Sequence, residues 1–530
     1  MHDYIVVGAG SSGCVVARRL SDDPKVRVLL VEAGPPAHRT LKVRAPAMYQ
    51  QLWRSKLDWN LYTEPQKKAA QRKMYWPRGK VLGGTSCLNS MVYIRGHRDN
   101  YDEWKALGCE GWGWDDVLPY FMKSEDNVRG ASAHHGAGGL LGVCDQPDTN
   151  PVSDAFCEAV AARCGVPVRE DFNTGEHEGA GRYQMTIRDR ARASTAVAFL
   201  DPVRGRSNLE VVCGAHALGI VIEDGRATGL RVSIGGREQT FEASREIIVC
   251  GGAIGSPHLL LLSGIGPKDE LKAAGIDCVV DAPAVGKHLA DHLLIGVIHE
   301  TASPHVIGQA MMRMLGLVAR YAFGRGGVLG KSPVEAGAFV KSSPSQPRPD
   351  IQFHFAPWAF PTPNTDVARK IPTTKQIGFA PGLIYPRSTG EIRLASKDPH
   401  AAPVIDPRYF EDDRDLQLLV DGLKLSREIS ATAPFTEHAG KELAPGPDAK
   451  DDEALRAYVC NSVNTIFHPV GTCRMGAGAD DVVDPQLRVR GIEGLRVADA
   501  SIMPRIIGGN TNAPCIMIAE KAADLITSSR

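Results

Sequence analysis

The chain opens on an apolar run, Tyr4–Val7, breaks at the glycine-rich Gly8–Gly13, shows helical spacing over Cys14–Leu20 and returns to an apolar run over Val26–Val31. Apolar runs of strand length separated by one helix predict a βαβ unit whose parallel strands are buried on both faces. Between Asn208 and Val249 the pattern becomes an alternation: Leu209 and Val211, then Leu218, Ile220 and Ile222, then Leu230 and Val232. Turn signals at Glu223-Asp224-Gly225 and Gly235-Gly236 divide it, so several strands joined by tight turns are expected there. Gly251-Gly252-Ala253 leads into a further helix. Residues 301–455 are richer in proline and aromatic residues, with strand-like runs at Ile351–Phe355, Ile377–Ile384 and Glu391–Leu394, and residues 456–530 return to glycine and small side chains. The expected fold class is α/β: a Rossmann-like domain interrupted by a second domain inserted over residues 301–455.

Composition narrows the partners. The 530 residues carry 61 Lys+Arg against 61 Asp+Glu, a net charge of zero, which gives no global attraction to nucleic acid or to an anionic membrane. The 12 cysteines form no CxxC pair and no zinc-like spacing, so reduced thiols in a cytoplasmic protein and no metal site are expected. The N-terminus does not read as a signal peptide. No apolar stretch approaches the roughly 20 residues of a transmembrane helix. The helix-like Ala310–Phe323, with Arg313 and Arg320 among Met and Leu, either packs on its own domain or makes a peripheral contact with the inner membrane.

Gly8-Ala9-Gly10-Ser11-Ser12-Gly13 is a GxGxxG sequence placed after a strand and opening a helix, with Glu32 closing the next strand. Such glycines let a pyrophosphate approach the unpaired N–H groups of a helix N-terminus, and Glu32 can accept hydrogen bonds from a ribose diol. An adenine dinucleotide is implied, but this motif does not separate FAD from NAD. The tract Arg78–Ser90 is too rich in glycine and small polar residues for a regular element and reads as a loop that approaches a ligand. His468, followed by Pro469, is a candidate base with an extended backbone, and Asn512 precedes Pro514 and the helix-like Cys515–Ile526, where asparagine caps well.

Four tracts carry a resemblance. Gly79–Asn89 (GKVLGGTSCLN) and Gly252–Gly266 (GAIGSPHLLLLSGIG) resemble the two signatures of the glucose–methanol–choline (GMC) oxidoreductases, and Asn464–Met475 together with Ala498–Pro504 and Gly509–Pro514 resemble that family's C-terminal tracts. Met91–His97 and Val285–His292 are most similar to the bacterial alkanol and choline dehydrogenase branch. The resemblance implies a Rossmann-like FAD-binding domain assembled from separated segments (1–155, 195–300 and 456–530) and an α+β substrate domain with an antiparallel sheet (156–194 and 301–455), and oxidation of a primary alcohol to an aldehyde by hydride transfer to flavin N5. His468 is then the base, Asn512 its partner at the substrate oxygen, and the electron acceptor a quinone or another carrier. An O₂-using oxidase and a non-redox FAD-containing lyase are the alternatives on the same scaffold. Some members attach FAD through a histidine at the position of Leu88, so noncovalent FAD is expected here. The cofactor contacts expected are Gly8, Gly10, Ser11, Ser12, Gly13, Glu32, Ala33, Gly83, Gly84, Thr85, Ser86, Asn89, Ser90, Met91, Ala217, Phe467, Asp499, Ala500, Asn510 and Ala513. Candidate substrate residues are Glu335, which aligns with a carboxylate that meets the cationic headgroup in choline-oxidising relatives, and His354, Phe355, Trp358 and Ile466. Each is open to a structural role as well.

Overall fold

The computed structural model describes residues 1–306, 321–324, 326–357 and 375–528. Most of the Ala310–Phe323 stretch, and Trp358, lie outside them. The first apolar run forms the buried strand His2–Val7, the second forms Val28–Glu32, and the helix Gly13–Leu20 between them buries Cys14, Val15, Val16, Ala17 and Leu20. Leu209–Cys213, Val28–Glu32, His2–Val7, the end of Arg237–Val249 and Leu495–Val497 pair in parallel in that order. The long strand Arg237–Val249 serves two sheets, because its first half pairs antiparallel with Arg226–Ile234, which in turn pairs with Ala215–Glu223.

Register decides where a ligand can bind. Val7 lies opposite Val31 and Val249, and Val249 opposite Val497. Gly8, Glu32, Cys250 and Asp499 therefore follow their strands at the same carboxyl edge, the edge at which parallel α/β sheets bind ligands. The two helices that start there, Gly13–Leu20 and the C-terminal Asn512–Ser528, are locked together by a two-pronged ion pair from Arg19 to the buried Glu520, with both N···O distances 2.8 Å.

The second sheet is antiparallel, in the order Glu442–Ala444, Val297–Glu300, Gln376–Leu383, Ile351–Ala356, Ala336–Val340, Gly179–Arg182. The helices Pro151–Cys164, Asp413–Ser430 and Asp452–Ser462 contribute to the core beneath it. The expected boundaries shift accordingly. Strand Val297–Glu300 and the helix Asp452–Ser462 pack with the second domain, and the helix Pro151–Cys164 runs through the boundary expected at residue 155. Strand alternation also corrects one candidate: Phe355 points into this core, stacked on Phe156 at 4.6 Å, while its neighbour His354 faces the other way.

A buried charge cluster holds the chain where it leaves the Arg78–Ser90 loop. Arg95 donates to Glu125 at 2.7 Å and to the carbonyls of His134 and Asn173, and His135 bridges Glu125 (3.1 Å) and Asp171 (2.6 Å). Burial opposes protonation of His135, but its hydrogen bonds to Asp171 and Glu125 prevail and move it up to about 9. Burial likewise opposes the charge on Glu125 and Asp171, and His135 outweighs it, holding both below the usual carboxylate range. A group raised in the folded state stabilises fully below its unfolded value, about 6.5, and loses that contribution as pH rises through the folded one. The difference in thermal midpoint between the wild type and His135→Gln should therefore be largest near pH 6 and shrink by pH 9.5; a difference constant over that interval would contradict the charged bridge.

Candidate active site

The carboxyl edge of the parallel sheet opens into a cavity of about 690 Å³ that runs from the glycine loop to the antiparallel sheet. At its closed end Glu32 accepts from Ala9 N at 3.0 Å and Gly34 N at 2.7 Å, which ties the end of the second strand to the glycine loop. Burial, working against those two bonds, pushes its carboxyl up to about 7. Gly8 is left-handed at φ 97°, and a Cβ on Gly13 would lie 1.8 Å from the Gly8 carbonyl, so these two glycines make the turn tight. Gly10 differs. A Cβ there would meet no protein atom within 4 Å, and the space over it belongs to the cavity. Ser11 Oγ donates to Asn512 Oδ1 at 2.8 Å and Ser12 Oγ to the Cys515 carbonyl at 3.0 Å, so two helix N-termini converge on this end. The cradle fits a dinucleotide pyrophosphate.

Of the residues expected to touch FAD, Gly8, Gly10, Ser11, Ser12, Glu32, Ala33, Gly84, Thr85, Asn89, Ser90, Met91, Ala217, Phe467, Asp499, Ala500 and Asn510 line the cavity. Gly13, Gly83, Ser86 and Ala513 do not. Gly83 is left-handed at φ 101°, and Ser86 Oγ donates back to the Gly83 carbonyl and meets Thr195 Oγ at 3.0 Å, so this pair shapes the loop from behind. Asp499 accepts from Gly252 N and Ser501 N, both at 2.8 Å, joining the helix Gly252–Leu262 to the C-terminal segment. Leu88 stands at the cavity wall.

The other end of the cavity centres on His468. Leu293 and Leu294 pair antiparallel with Thr465 and Asn464, which brings Asp291 under the backbone of the histidine. The Asp291 carboxylate accepts from His468 N at 2.8 Å, from Tyr409 OH at 2.6 Å and from Thr465 Oγ. Between them Phe467 is held at φ 67°, a conformation costly for a bulky residue, with its N–H on Thr465 Oγ and its carbonyl taken by Arg78. The His468 ring meets His292 Nδ1 through its own Nδ1 at 3.0 Å and Asn510 Nδ2 through Nε2 at 3.3 Å. Enclosure is the main cause that lowers His468 well below an ordinary histidine, with His292, His354 and Arg78 adding to it.

The residue beside His468 is therefore Asn510. Asn512, expected there, is the first residue of its helix and spends its carbonyl oxygen on Ser11. Two residues apart at a helix entrance, the two asparagines face opposite ends of the cavity. Glu335 is also displaced from its expected place. It is fully buried, accepts from Lys331 Nζ at 2.6 Å and from Asn150 N and Ser153 Oγ at 2.9 Å, and does not border the cavity. His354 and Ile466 do border it, and neither ring nitrogen of His354 has a hydrogen-bond partner. Burial lowers His354 to about 4.

Four residues of the site carried no role in the sequence. Asp291 and His292 end the tract Val285–His292, whose family resemblance was visible although its position behind His468 was not. Arg78 immediately precedes the first signature. Arg192 had no signal: it is wholly buried, with Nη1 on the carbonyl and side-chain oxygens of Asn89, both at 2.7 Å, and on the Ser86 carbonyl. Among the described residues no carboxylate pairs with it, and burial lowers it to about 10.

A family model described as GMC oxidoreductase matches residues 2–294 and, in its C-terminal part, residues 386–519. An alcohol dehydrogenase [acceptor] of Pseudomonas putida is 43% identical over 99% of this chain and 96% of its own, and the mitochondrial choline dehydrogenase of Homo sapiens is 41% identical over 99% and 89%. Among solved structures, pyridoxine 4-oxidase from Mesorbium loti superposes with a TM-score of 0.89 at 32% identity, covering 100% of this chain and 99% of that one. A formate oxidase of Aspergillus oryzae studied for modification of its FAD gives 0.91 at 28%, covering 100% and 98%. With the dinucleotide cradle, the two-sheet architecture and end-to-end likeness all in agreement, this chain belongs to the GMC oxidoreductases and is an FAD flavoprotein.

Proposed function

We propose that this protein oxidises a neutral primary alcohol to the aldehyde, with His468 as base, Asn510 as the group that holds the substrate oxygen, and FAD held noncovalently. The carrying observation is the placement of His468 Nε2 and Asn510 Nδ2, 3.3 Å apart at the cavity wall. An alcohol oxygen set between them gives its proton to the imidazole and receives a hydrogen bond from the amide, so the charge that grows on the oxygen is met as it forms. FAD, when bound, supplies the hydride acceptor for the carbinol carbon. Lowered below its ordinary value, His468 is neutral and able to accept a proton before substrate arrives. His354, with both ring nitrogens unpartnered, is placed to give the same oxygen a further polar contact. Leu88, a hydrocarbon side chain at the wall, supports noncovalent FAD.

The wall around this end supports this substrate class. Val334, Leu294, Ala380 and Ile466 border it, and among the described residues the carboxylates bordering the cavity are Glu32 and Asp499, both engaged with backbone N–H groups of the FAD-binding domain. Glu335, the carboxylate that would hold a quaternary ammonium, is neutralised by Lys331. One observation favours a cation instead: Trp53 lies edge-on to Phe467 at 5.8 Å and to Tyr49 at 5.3 Å, an aromatic wall that also suits an ammonium group. We favour the neutral alcohol, in keeping with the likeness to the Pseudomonas putida enzyme, which also supports a quinone or carrier as acceptor over O₂.

Anaerobic mixing of the holoenzyme with alkanols, benzyl alcohols and choline should bleach the flavin with the neutral alcohols and leave it oxidised with choline; fast bleaching by choline alone would overturn the substrate class. Under the same conditions His468→Ala should slow flavin reduction by at least about 10²-fold and Asn510→Ala by a similar factor. Asn512→Ala should reduce FAD retention while sparing the reduction rate of the loaded fraction, and the reverse pattern would restore Asn512 as the partner. The base works when neutral, so the reduction rate of the wild type should stay level as pH falls past 6.5, and a half-maximal rate at or above pH 6.5 would contradict the lowered histidine.

A further inference from the structure

A hydrogen-bonded chain crosses from the antiparallel sheet through the Asn510–His468 pair to His292, and its direction can be worked out from one end. Tyr183, wholly buried, donates its single hydroxyl hydrogen to the Phe353 carbonyl at 2.7 Å. A backbone carbonyl can only accept, so this bond has one possible sense. With its hydrogen committed, the Tyr183 oxygen offers only lone pairs to Gln352, 3.2 Å away. The group of Gln352 that faces it must be the NH₂, because the amide oxygen would set two acceptors against each other. The same Gln352 Nε2 lies 3.2 Å from Asn510 Oδ1. Asn510 therefore turns its oxygen to Gln352 and its own NH₂ to His468, at 3.3 Å from Nε2.

An NH₂ can only donate, so His468 Nε2 carries a lone pair and the ring's proton sits on Nδ1. Among the described residues that proton has one acceptor within reach, Nδ1 of His292 at 3.0 Å, which in turn places the His292 proton on its Nε2. His292 is wholly buried, and its Nε2 has no hydrogen-bond partner among the described residues, so the bond to His468 is what orients its ring in this series. Each bond in the series fixes the next, and no step depends on a charged group.

We propose that Gln352 and His292 are positioning residues that lock the resting site in the one arrangement able to oxidise an alcohol: Asn510 turning its NH₂ to the histidine and His468 keeping Nε2 unprotonated. The inference rests on His468 acting as the base. Neither Gln352 nor His292 borders the cavity, so each acts through its neighbour. The opposite arrangement satisfies as many bonds within the His468–His292 pair, with His292 donating to His468 Nδ1, but it leaves Nε2 protonated and useless as a base. Only the connection through Gln352 to a backbone carbonyl discriminates between the two. Gln352 can do so because it shares a strand face with His354, two residues on, so the substrate sheet that shapes the alcohol pocket also sets the polarity of the pair.

The direct test is on the unmodified holoenzyme. Nitrogen NMR of ¹⁵N-histidine-labelled protein, with His468 assigned by comparison with His468→Asn, should find Nε2 unprotonated and Nδ1 protonated at neutral pH; a protonated Nε2 would overturn the proposal. Gln352→Leu, which frees the Asn510 amide to rotate, should slow anaerobic flavin reduction about 10-fold, with substrate dissociation constant and FAD content within about 3-fold of wild type. In an Asn510→Ala background the same change should cost less than about 2-fold, because its route to the histidine is gone. Equal losses in both backgrounds, or none in the wild type, would show that Gln352 is merely structural. If instead His468→Ala kept its reduction rate, the base assignment would fall while the NMR result still reported the direction of the chain, so the two failures are separable.

Discussion

The reaction end of this protein depends on a buried carboxylate. Asp291 lies just before the strand Leu293–Leu294 of the antiparallel sheet, and burying its charge without partners would cost several kcal/mol. It is accommodated because the Tyr409 hydroxyl, the Thr465 hydroxyl and the His468 backbone N–H all converge on it, with Arg78 close enough to add its positive charge. Burial still leaves it above the usual carboxylate value, the sign of a group held at a cost. In return one side chain fixes the antiparallel junction of residues 293–294 with 464–465, the left-handed turn at Phe467 and the direction in which the histidine leaves the backbone.

The two ends of the cavity are built by different means. At the FAD end the work is done by backbone: glycines that admit close approach, N–H groups at the starts of two helices, and strand ends brought level by parallel register. At the alcohol end it is done by side chains that come from both sheets. Asn510 and His468 stand on loops of the FAD-binding domain, His354 and Gln352 on a strand of the other. Relative movement of the two domains would separate Asn510 and His468 from Gln352 and His354, and the paired strands at residues 293–294 and 464–465 resist that movement.

Charge is distributed to the same purpose. The end around His468 holds uncharged polar groups and apolar wall, and enclosure lowers the histidines there below an ordinary histidine. Beneath the first signature loop, by contrast, Arg192 keeps a guanidinium with carbonyl partners alone. Glu335, the carboxylate that resemblance had marked for a cation, is closed off by Lys331 and two further donors and does not border the cavity.

The amino-acid sequence by itself determined what depends on local pattern. Strand runs, turn residues and the glycine spacing are set by neighbours within a few positions, which is why the βαβ start, the Gly8–Gly13 loop with Glu32, and the strands through residues 209–249 were all legible. His468 was legible too, because proline and its surrounding tract mark it in one stretch of chain. What the sequence could not determine is which of two asparagines, separated by one residue, faces the histidine. That choice is made by the path of the chain entering the last helix, where Asn512 is drawn to Ser11, 501 residues away, and Asn510 to Gln352, 158 residues away. Glu335 and Phe355 were misplaced for the same reason: a carboxylate or an aromatic ring on a strand can serve a pocket or a core, and only the far-off residues it meets, Lys331 with Asn150 and Ser153 in one case and Phe156 in the other, settle the matter. Hydrogen-bond direction lies further still from the sequence, since it is a property of a closed series of partners and exists only once all of them have been brought together.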